Sequence, residues 1–304
     1  TYGPKQSNLE ENRYLLDKMY RFLLQLKENV IDHLSKHSKS AVLALDVKGA
    51  FDNVSYSVVL RNLQDTHCGK RRYCYVQKFL CGITATVCLG TLKSDPFEMA
   101  NKRTLQGSVI SPLFFNIAMM KLPNILKRIH GISHALYADD LTIWTTGSSP
   151  GAQQDALQKA VDRTESYLNA YGLTCAPEKS ELFLLKARTR GRLPTGELSE
   201  PKLWLNGVQI PKVESLRVLG LDIHKEGLGA VTSPKLQATK TQVAHLVRLV
   251  SNEKKKNGLK EHDTIKLIQV LIISRFTYET PYLDLKTSEI QKLYTLIKRP
   301  SKLP

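Results

Sequence analysis

The chain has 304 residues and is strongly basic, with 44 lysines and arginines, 28 aspartates and glutamates, and a formal net charge of +16. A chain of this length buries a large core and divides into lobes, and its charge favours an acidic polymer as partner. No apolar run reaches the length of a membrane span. Five cysteines without Cys-x-x-Cys spacing favour reduced thiols over a zinc site. No secretory signal precedes the first predicted helix, so we expect an intracellular protein, nuclear or cytoplasmic.

The chain begins with a helical pattern that gives way to a strand. Ser7 and Glu10 form a capping box, and apolar residues then recur at helical spacing, which predicts a long helix over residues 8–34. A continuous apolar run follows at residues 41–45 and ends at Asp46. The run predicts a buried strand with Asp46 at its tip.

The next segment combines a helix with short strands. Asp52 is expected to cap a helix over residues 54–63, since aspartate is a favoured N-cap residue. Short strands are expected at residues 83–89 and 97–103.

A polar turn then leads into a second helix. Gln106 precedes Gly107, at which the chain can pass close to a ligand because glycine has no Cβ. The Ser-Pro pair at 111–112 matches the favoured N-cap and N1 positions of a helix that runs to about residue 120. Pro123 is expected to end or kink this helix.

Two adjacent carboxylates, Asp139 and Asp140, lie between two apolar strand patterns at residues 132–136 and 141–144. This arrangement predicts a hairpin with the Asp pair in its turn. Like charges this close destabilise one another and need a cation or strong donors nearby. Mg²⁺ is the simplest such cation, because it takes oxygen ligands and uses one or two carboxylates plus substrate phosphates. An ordinary Asp-rich turn is the alternative.

Asp46 supplies a second acidic position for the same chemistry. A two-metal phosphoryl-transfer site needs a carboxylate that bridges both ions and another from a neighbouring strand. Asp46 and Asp139 suit these roles. Asp140 is expected to be the weaker, outer ligand, because adjacent residues of an extended chain point to opposite sides.

The remainder of the chain combines a helix, a hairpin and a strand, followed by basic helices. Apolar spacing predicts a helix over residues 152–171 that Gly172 stops. Asn206-Gly207 predicts a type I′ turn in a hairpin over residues 203–210, and residues 216–223 are expected to form one strand. Three basic helical segments are expected at residues 234–250, 263–276 and 288–298.

Three segments in this order resemble the palm motifs of reverse transcriptases: residues 45–54 (LDVKGAFDNV), 105–116 (LQGSVISPLFFN) and 137–140 (YADD). Their spacing resembles the non-LTR (LINE-type) retrotransposon branch, and the match spans most of the chain. The resemblance implies an α+β right-hand polymerase with fingers, an antiparallel palm sheet and a helical thumb. It also implies an RNA-directed DNA polymerase that uses an RNA template, a DNA primer, dNTPs and two Mg²⁺ ions, for which Mn²⁺ can substitute.

The resemblance assigns roles to individual residues. The catalytic and metal-binding positions correspond to Asp46, Asp139 and Asp140. Phe51 corresponds to the steric gate that excludes a ribonucleotide 2′-hydroxyl, and the alternative is an ordinary core aromatic. Lys179 corresponds to the basic residue near the triphosphate, and the alternative is a solvated loop lysine. The nucleotide-binding set is Val47, Gly49, Ala50, Phe51, Gln106 and Lys179. The template and primer set is Gly107, Asn116, Tyr137, Leu219 and Gly220.

The resemblance also implies a division of the chain. We expect five segments in chain order. They are an N-terminal helix with truncated fingers and palm (1–40), a first palm segment (41–62), a fingers insertion (63–104), a second palm segment (105–225) and a helical thumb (226–304). Few residues precede Asp46, and no endonuclease or ribonuclease H constellation is visible, so we expect a fragment of a longer polyprotein. A catalytically inactive nucleic-acid-binding palm therefore remains an alternative function. A maturase or telomerase-like role is a third, without an appended domain to support it.

Three clusters of basic residues stand out, at residues 69–72, 186–192 and 254–256. Phosphate contacts from such clusters give affinity without sequence choice and weaken steeply with salt. A solvated surface is the alternative reading for each cluster.

Overall fold

The computed structural model describes residues 40–50, 53–98, 110–146, 149–185, 200–225, 228–258, 260–267, 270–271 and 285–298. The predicted helix at 8–34 and the residues Phe51, Asp52, Gln106 and Gly107 lie outside these ranges. The chain divides into two compact units, with the boundary between Val213 and Glu214. The expected division into five segments stays a prediction.

The first unit contains five helices and twelve strands among its described residues. The helices are α1 (Tyr56–Asp65), α2 (Lys70–Leu80), α3 (Ser111–Met119), α4 (Leu122–Leu126) and α5 (Pro150–Ala170). The strands are β1 (Ser40–Lys48), β2 (Thr84–Ala85), β3 (Cys88–Leu89), β4 (Leu92–Lys93), β5 (Phe97–Glu98), β6 (Ser133–Tyr137), β7 (Asp140–Thr146), β8 (Thr174–Cys175), β9 (Glu181–Leu185), β10 (Trp204–Leu205), β11 (Val208–Gln209) and β12 (Lys212–Val213).

A six-stranded sheet forms the centre of this unit, with the order β12-β9-β1-β7-β6 and with β8 beside the end of β1. Strand β1 pairs antiparallel with β7, β8 and β9. Ala41, Val42 and Leu43 are 0% exposed, which is the burial of a strand covered on both faces and explains their continuous apolar run. The strand continues beyond the predicted tip, so Asp46 is followed by two further strand residues.

The two faces of the sheet differ in character because side chains alternate along each strand. Leu43 pairs with Ile143 and Leu45 with Leu141, and all four belong to the core shared with the helices. Asp46 has the opposite parity and therefore points to the other face. The helices and the Asp46 carboxylate thus lie on opposite sides of the sheet.

Buried hydrogen bonds fix the end of helix α3. The carbonyls in the last turn of a helix have no partner within the helix. Here the Asn62 side-chain amide donates to the carbonyls of Ile117 (2.9 Å) and Ala118 (3.3 Å), and the Tyr167 hydroxyl donates to the Ala118 carbonyl at 2.6 Å. Helices α1 and α5 thereby hold α3 in place.

The second unit consists of a hairpin and basic helices. Strands β13 (Ser215–Val218) and β14 (Leu221–His224) form the hairpin, followed by helices α6 (Leu228–Asn257), α7 (Glu261–Leu267) and α8 (Thr287–Lys298). Helix α6 packs against β14 and α8. The helical character was predicted. No helix among the described residues combines the length and the apolar character that crossing a membrane requires.

The structure corrects some of the predicted elements. The single strand expected at 216–223 is wrong, because Leu219 (φ 47°) and Gly220 (φ 82°) form a turn between two strands. Helix α1 begins at Tyr56 with Ser55 in the N-cap position, so Asp52 is not its cap. Helix α2 was not predicted, since only its basic residues were noticed.

Other predictions of local structure are confirmed. Asn206 (φ 53°) and Gly207 (φ 74°) have the two positive φ angles of a type I′ turn between β10 and β11. The helix that was predicted to run to about residue 120 ends at Met119, and Pro123 lies in the first turn of the next helix, α4, which begins at Leu122. All five cysteines lie in described residues, where no disulfide joins them, and the expectation of reduced thiols stays a prediction.

The burial of β1 yields a stability prediction. Leu43 is 0% exposed, and Leu89 on a hairpin of the same unit is 77% exposed. We expect Leu43→Ala to lower the free energy of unfolding by about 2–5 kcal/mol, because it leaves a cavity in the core. Leu89→Ala is the matched control and should change it by less than about 0.5 kcal/mol. Urea denaturation measures both. Equal losses in the two variants would show that β1 is not the central buried strand.

Candidate active site

Three adjacent strands bring two carboxylates and a phenol into one row. Asp46 of β1 pairs directly with Asp140 of β7, and Asp140 pairs with Tyr137 of β6. Directly opposed residues of antiparallel strands have Cα atoms about 4.5–5.5 Å apart and place their side chains on the same face. Asp46, Asp140 and Tyr137 therefore form a row on the sheet face opposite the helices.

The turn that joins β6 to β7, at the end of this row, is tight. Only Ala138 and Asp139 connect β6 to β7, and Ala138 has a φ of 50°. A residue with a Cβ is disfavoured in this left-handed region by about 1–2 kcal/mol. The ladders on both sides of the hairpin hold the turn in this conformation, and Asp139 is presented at its tip.

The pairing register corrects the expected position of Asp140 in the turn, while its expected role as a ligand stays a prediction. The sequence placed both aspartates in the turn, but Asp140 is the first residue of β7. It was also expected to be an outer ligand because it follows Asp139 directly. Its partner across the sheet is Asp46, so Asp140 faces the same side as Asp46. Strand pairing, which local alternation cannot reveal, decides this orientation.

The carboxylates influence one another electrostatically. The pKa of Asp140 is raised above its ordinary value, first by burial and then by the negative charges of Asp139 and Asp46. Each of these causes disfavours the ionised form. A cation in this region would relieve the repulsion and favour ionised Asp140.

A lysine lies beside the row. The Lys179 ammonium nitrogen is 3.8 Å from a carboxylate oxygen of Asp46, with the two side chains 67% and 29% exposed. Solvent screens a pair this exposed, so its contribution to stability is small. The contact nevertheless places Lys179 next to Asp46, and both residues were selected from the sequence.

Ser180 is a site residue that the sequence did not reveal. Its side chain is 0% exposed, and its hydroxyl donates to the Ala176 carbonyl at 2.8 Å and accepts from the Asp46 backbone N–H at 3.4 Å. The Ala176 N–H donates to the Asp46 carbonyl at 2.9 Å. These bonds connect the loop that bears Lys179 to the strand that bears Asp46. A serine after a loop lysine carries no distinguishing sequence signal.

Glu181 is a second acidic residue that sequence reasoning did not select. Glu181 is the first residue of β9 and pairs with Ala44 of β1. Ala44 lies two residues before Asp46 on β1, so Glu181 lies on the same face of the sheet as Asp46. Its side chain is half-buried. Only the pairing of β9 with β1 shows that these residues share a face.

Gly49 is needed for the turn that follows β1. Its φ is 55°, and a Cβ there would lie 2.6 Å from the Asn53 side-chain nitrogen. That nitrogen donates to the Lys48 carbonyl at 3.3 Å, and the Asn53 N–H donates to the Gly49 carbonyl at 3.0 Å. The sequence explained Gly49 by a close approach of the backbone to the triphosphate of a nucleotide. The turn after β1 also requires glycine at this position.

The other predicted site residues are dispersed. Val47 (2% exposed) and Ala50 (4% exposed) have side chains in the core, which leaves their backbone as the part able to contact a nucleotide. Asn116 is exposed on α3. Leu219 and Gly220 form the β13–β14 turn of the second unit. Phe51, Gln106 and Gly107 lie outside the described residues, and their roles stay predictions.

Within the ranges that the structure describes, no three or more His, Cys, Asp or Glu side chains form a group able to hold a metal ion. Mg²⁺ does not need such a group, since it keeps several waters and uses one or two protein carboxylates plus substrate phosphates. The row of Asp46 and Asp140 matches that pattern more closely than it matches a protein-only metal cage.

Comparison with known proteins agrees with this geometry. Residues 1–223 match the family described as Reverse transcriptase (RNA-dependent DNA polymerase). The chain is therefore a member of the reverse transcriptase family, and the predicted α+β right-hand polymerase fold class is confirmed.

A curated relative is the putative 115 kDa protein in the type-1 retrotransposable element R1DM of Drosophila melanogaster. It is 30% identical over 208 residues, which are 65% of this chain and 19% of the relative. The chain thus spans about a fifth of the relative's length. The sequence resemblance to retrotransposon reverse transcriptases is confirmed.

Solved structures that resemble the chain include two of Candida tropicalis telomerase. Apo telomerase truncated from its C-terminal domain has a TM-score of 0.45 and 16% identity, covering 70% of this chain and 38% of that chain. Telomerase in complex with the TWJ fragment of telomeric RNA has a TM-score of 0.47 and 13% identity, covering 94% and 52%.

The raised pKa of Asp140 yields a pH prediction. A raised pKa means that the folded protein disfavours ionised Asp140 more than the unfolded chain does, so the ionised group lowers the free energy of unfolding. We expect Asp140→Asn to raise this free energy near neutral pH. The gain should shrink as the pH falls below the raised pKa of Asp140 and disappear below the ordinary pKa of aspartate, because the wild-type carboxyl is then protonated in both the folded and the unfolded chain.

Thermal unfolding over a pH series tests this expectation. Asp155→Asn on the exposed side of α5 removes the same charge outside the row and is the control. The same pH-dependent gain in both variants would refute the repulsion within the row.

Proposed function

We propose that this chain is the polymerase core of a non-LTR retrotransposon reverse transcriptase, which transfers a nucleotidyl group from a dNTP to a primer 3′-hydroxyl on an RNA template. The observation that carries the proposal is the row of Asp46 and Asp140 across paired strands, with Asp139 at the adjacent turn. Family membership supports the same reaction. Because the chain spans a small part of its relative, further activities of the full protein fall outside this proposal.

The carboxylates suit divalent metal ions, and we propose two Mg²⁺ ions held by Asp46, Asp139 and Asp140. All their ligand atoms are oxygens, which Mg²⁺ and Mn²⁺ prefer. Burial and the charges of Asp139 and Asp46 raise the pKa of Asp140, and a bound cation would favour its ionised form. When bound, such ions supply Lewis-acid stabilisation of the charge that develops on the phosphoryl oxygens.

The protein's own groups position the reactants. The Ser180 hydroxyl and the Ala176 N–H hold the Asp46 backbone, which keeps its carboxylate in the row. Lys179 presents an ammonium group beside Asp46, where it can bind the phosphates of a dNTP and donate a proton to the departing pyrophosphate. Phosphoryl transfer needs positioning and electrostatic stabilisation rather than a protein nucleophile.

Primer extension on an RNA template tests the reaction. We expect Asp139→Asn to reduce extension with Mg²⁺ at least about 100-fold, because a lost metal carboxylate removes several kcal/mol of transition-state stabilisation. Asp155→Asn on α5 is the charge-matched control and should extend like the wild type.

Extension that survives in Asp139→Asn would overturn the assignment. If the wild type fails to extend with Mg²⁺ and with Mn²⁺ but still binds an RNA–DNA duplex, the inactive nucleic-acid-binding palm replaces the polymerase proposal.

The Lys179 contact yields a metal-binding prediction. In the absence of nucleotide, its ammonium competes with a metal ion for Asp46. We expect Lys179→Met to tighten Mn²⁺ binding by up to about 5-fold, which is the energy range of an exposed ion pair. Calorimetric titration of Mn²⁺ without nucleotide measures this effect. Lys159→Met on the exposed side of α5 is the control, and equal tightening in both variants would refute local competition.

A further inference from the structure

Helix α2 has one face in the core and one in solvent. Val76 and Leu80 are 9% and 2% exposed, whereas Tyr75 is 62% exposed. Arg71 lies four residues before Tyr75 and Lys78 three residues after it, so both share its side of the helix. An aromatic ring with cations on either side is thus presented to solvent.

The positive charge on α2 is not balanced by any of the described residues. The helix sequence KRRYCYVQKFL contains no acidic residue, and in the described part of the chain none of its basic side chains forms an ion pair. Its first turn carries Lys70, Arg71 and Arg72, where the helix dipole disfavours positive charge. Tyr75 likewise leaves a large apolar surface in water. Neither the interaction with the helix dipole nor burial therefore accounts for these exposed side chains.

We propose that Arg71, Arg72, Tyr75 and Lys78, named here the basic-aromatic face of α2, bind a single strand of nucleic acid. Proteins that bind single strands combine cations that contact phosphates with exposed aromatic rings on which bases stack. This face offers both on two adjacent helical turns. The inference rests on the proposed function in one respect, since it takes the strand to be the unpaired part of the template.

The core side of α2 links this face to the polymerase motifs. The Phe79 ring of α2 lies 5.7 Å from the Phe114 ring of α3, centroid to centroid. Phe114 is 1% exposed and belongs to the same core as Val76 and Leu80. Helix α3 also carries Asn116, which the family resemblance places beside the template strand. A strand bound to α2 is therefore held by an element packed directly on α3.

The exposed ring distinguishes a nucleic-acid strand from an acidic peptide. A peptide attracted by charge alone would depend on the cations and not on the ring. A stacked base depends on the ring, and removing one stacking side chain weakens single-strand binding about 5- to 150-fold. Substitutions of Tyr75 therefore decide between the two partners.

The test measures binding of fluorescein-labelled oligouridylate by anisotropy, without metal or dNTP. We expect Tyr75→Ala to weaken binding about 5- to 150-fold, Tyr75→Phe to bind like the wild type because it keeps the ring, and neither change to affect a blunt RNA–DNA duplex. Arg71→Gln with Lys78→Gln should reduce the slope of log affinity against log salt by about 1.4, since each lost phosphate contact removes about 0.7.

The charge-matched control is Lys159→Gln with Arg163→Gln on the exposed side of α5. The proposal is overturned if Tyr75→Ala binds like the wild type, or if the control pair reduces the salt slope as much as the α2 pair does. Since the assay contains no metal or dNTP, loss of Tyr75-dependent binding leaves the polymerase proposal standing. Failed primer extension with intact Tyr75-dependent binding overturns only the polymerase proposal.

Discussion

The antiparallel register of β1 against β7 fixes both the core of the first unit and the position of its carboxylates. It sets Leu45 opposite Leu141 on the helix side and Asp46 opposite Asp140 on the other side. A slip of one residue would exchange the faces and bury a carboxylate in the helical core, at a cost of several kcal/mol. The buried apolar residues of β1 therefore stabilise the fold and at the same time determine where the carboxylates point.

The same arrangement creates an electrostatic conflict that the protein relieves only in part. Burial and two neighbouring carboxylates disfavour ionised Asp140, while Lys179 supplies the nearby positive charge. A lysine this exposed neutralises little, because water screens it. The row is thus less stable than the same positions would be with apolar side chains. Such a loss of stability is common where charged groups are concentrated at a functional site. The cations of α2 show a similar conflict at a surface outside the row of Asp46, Asp140 and Tyr137.

Local sequence patterns predicted the elements with strong local signals. The apolar run of β1, the Asn-Gly turn at 206–207 and the long helix α5 were all recognised, because each depends on residues close together in sequence. Helix α2 was missed, since its basic residues hide the helical spacing of Val76 and Leu80. The hairpin at Leu219-Gly220 was read as one strand, because leucine rarely adopts a positive φ and gave no turn signal.

The family, the acidic residues of the site and the order of the motifs can be read from the sequence, because they reside in short segments. The fold was needed to show that Asp140 faces Asp46, that Ser180 holds the Asp46 backbone, and that Glu181 shares their face. These relations arise from the pairing of strands that are far apart in sequence. Alternation within one strand shows which of its side chains point to the same side. Which side chains of different strands share a face of the sheet depends on how the strands pair.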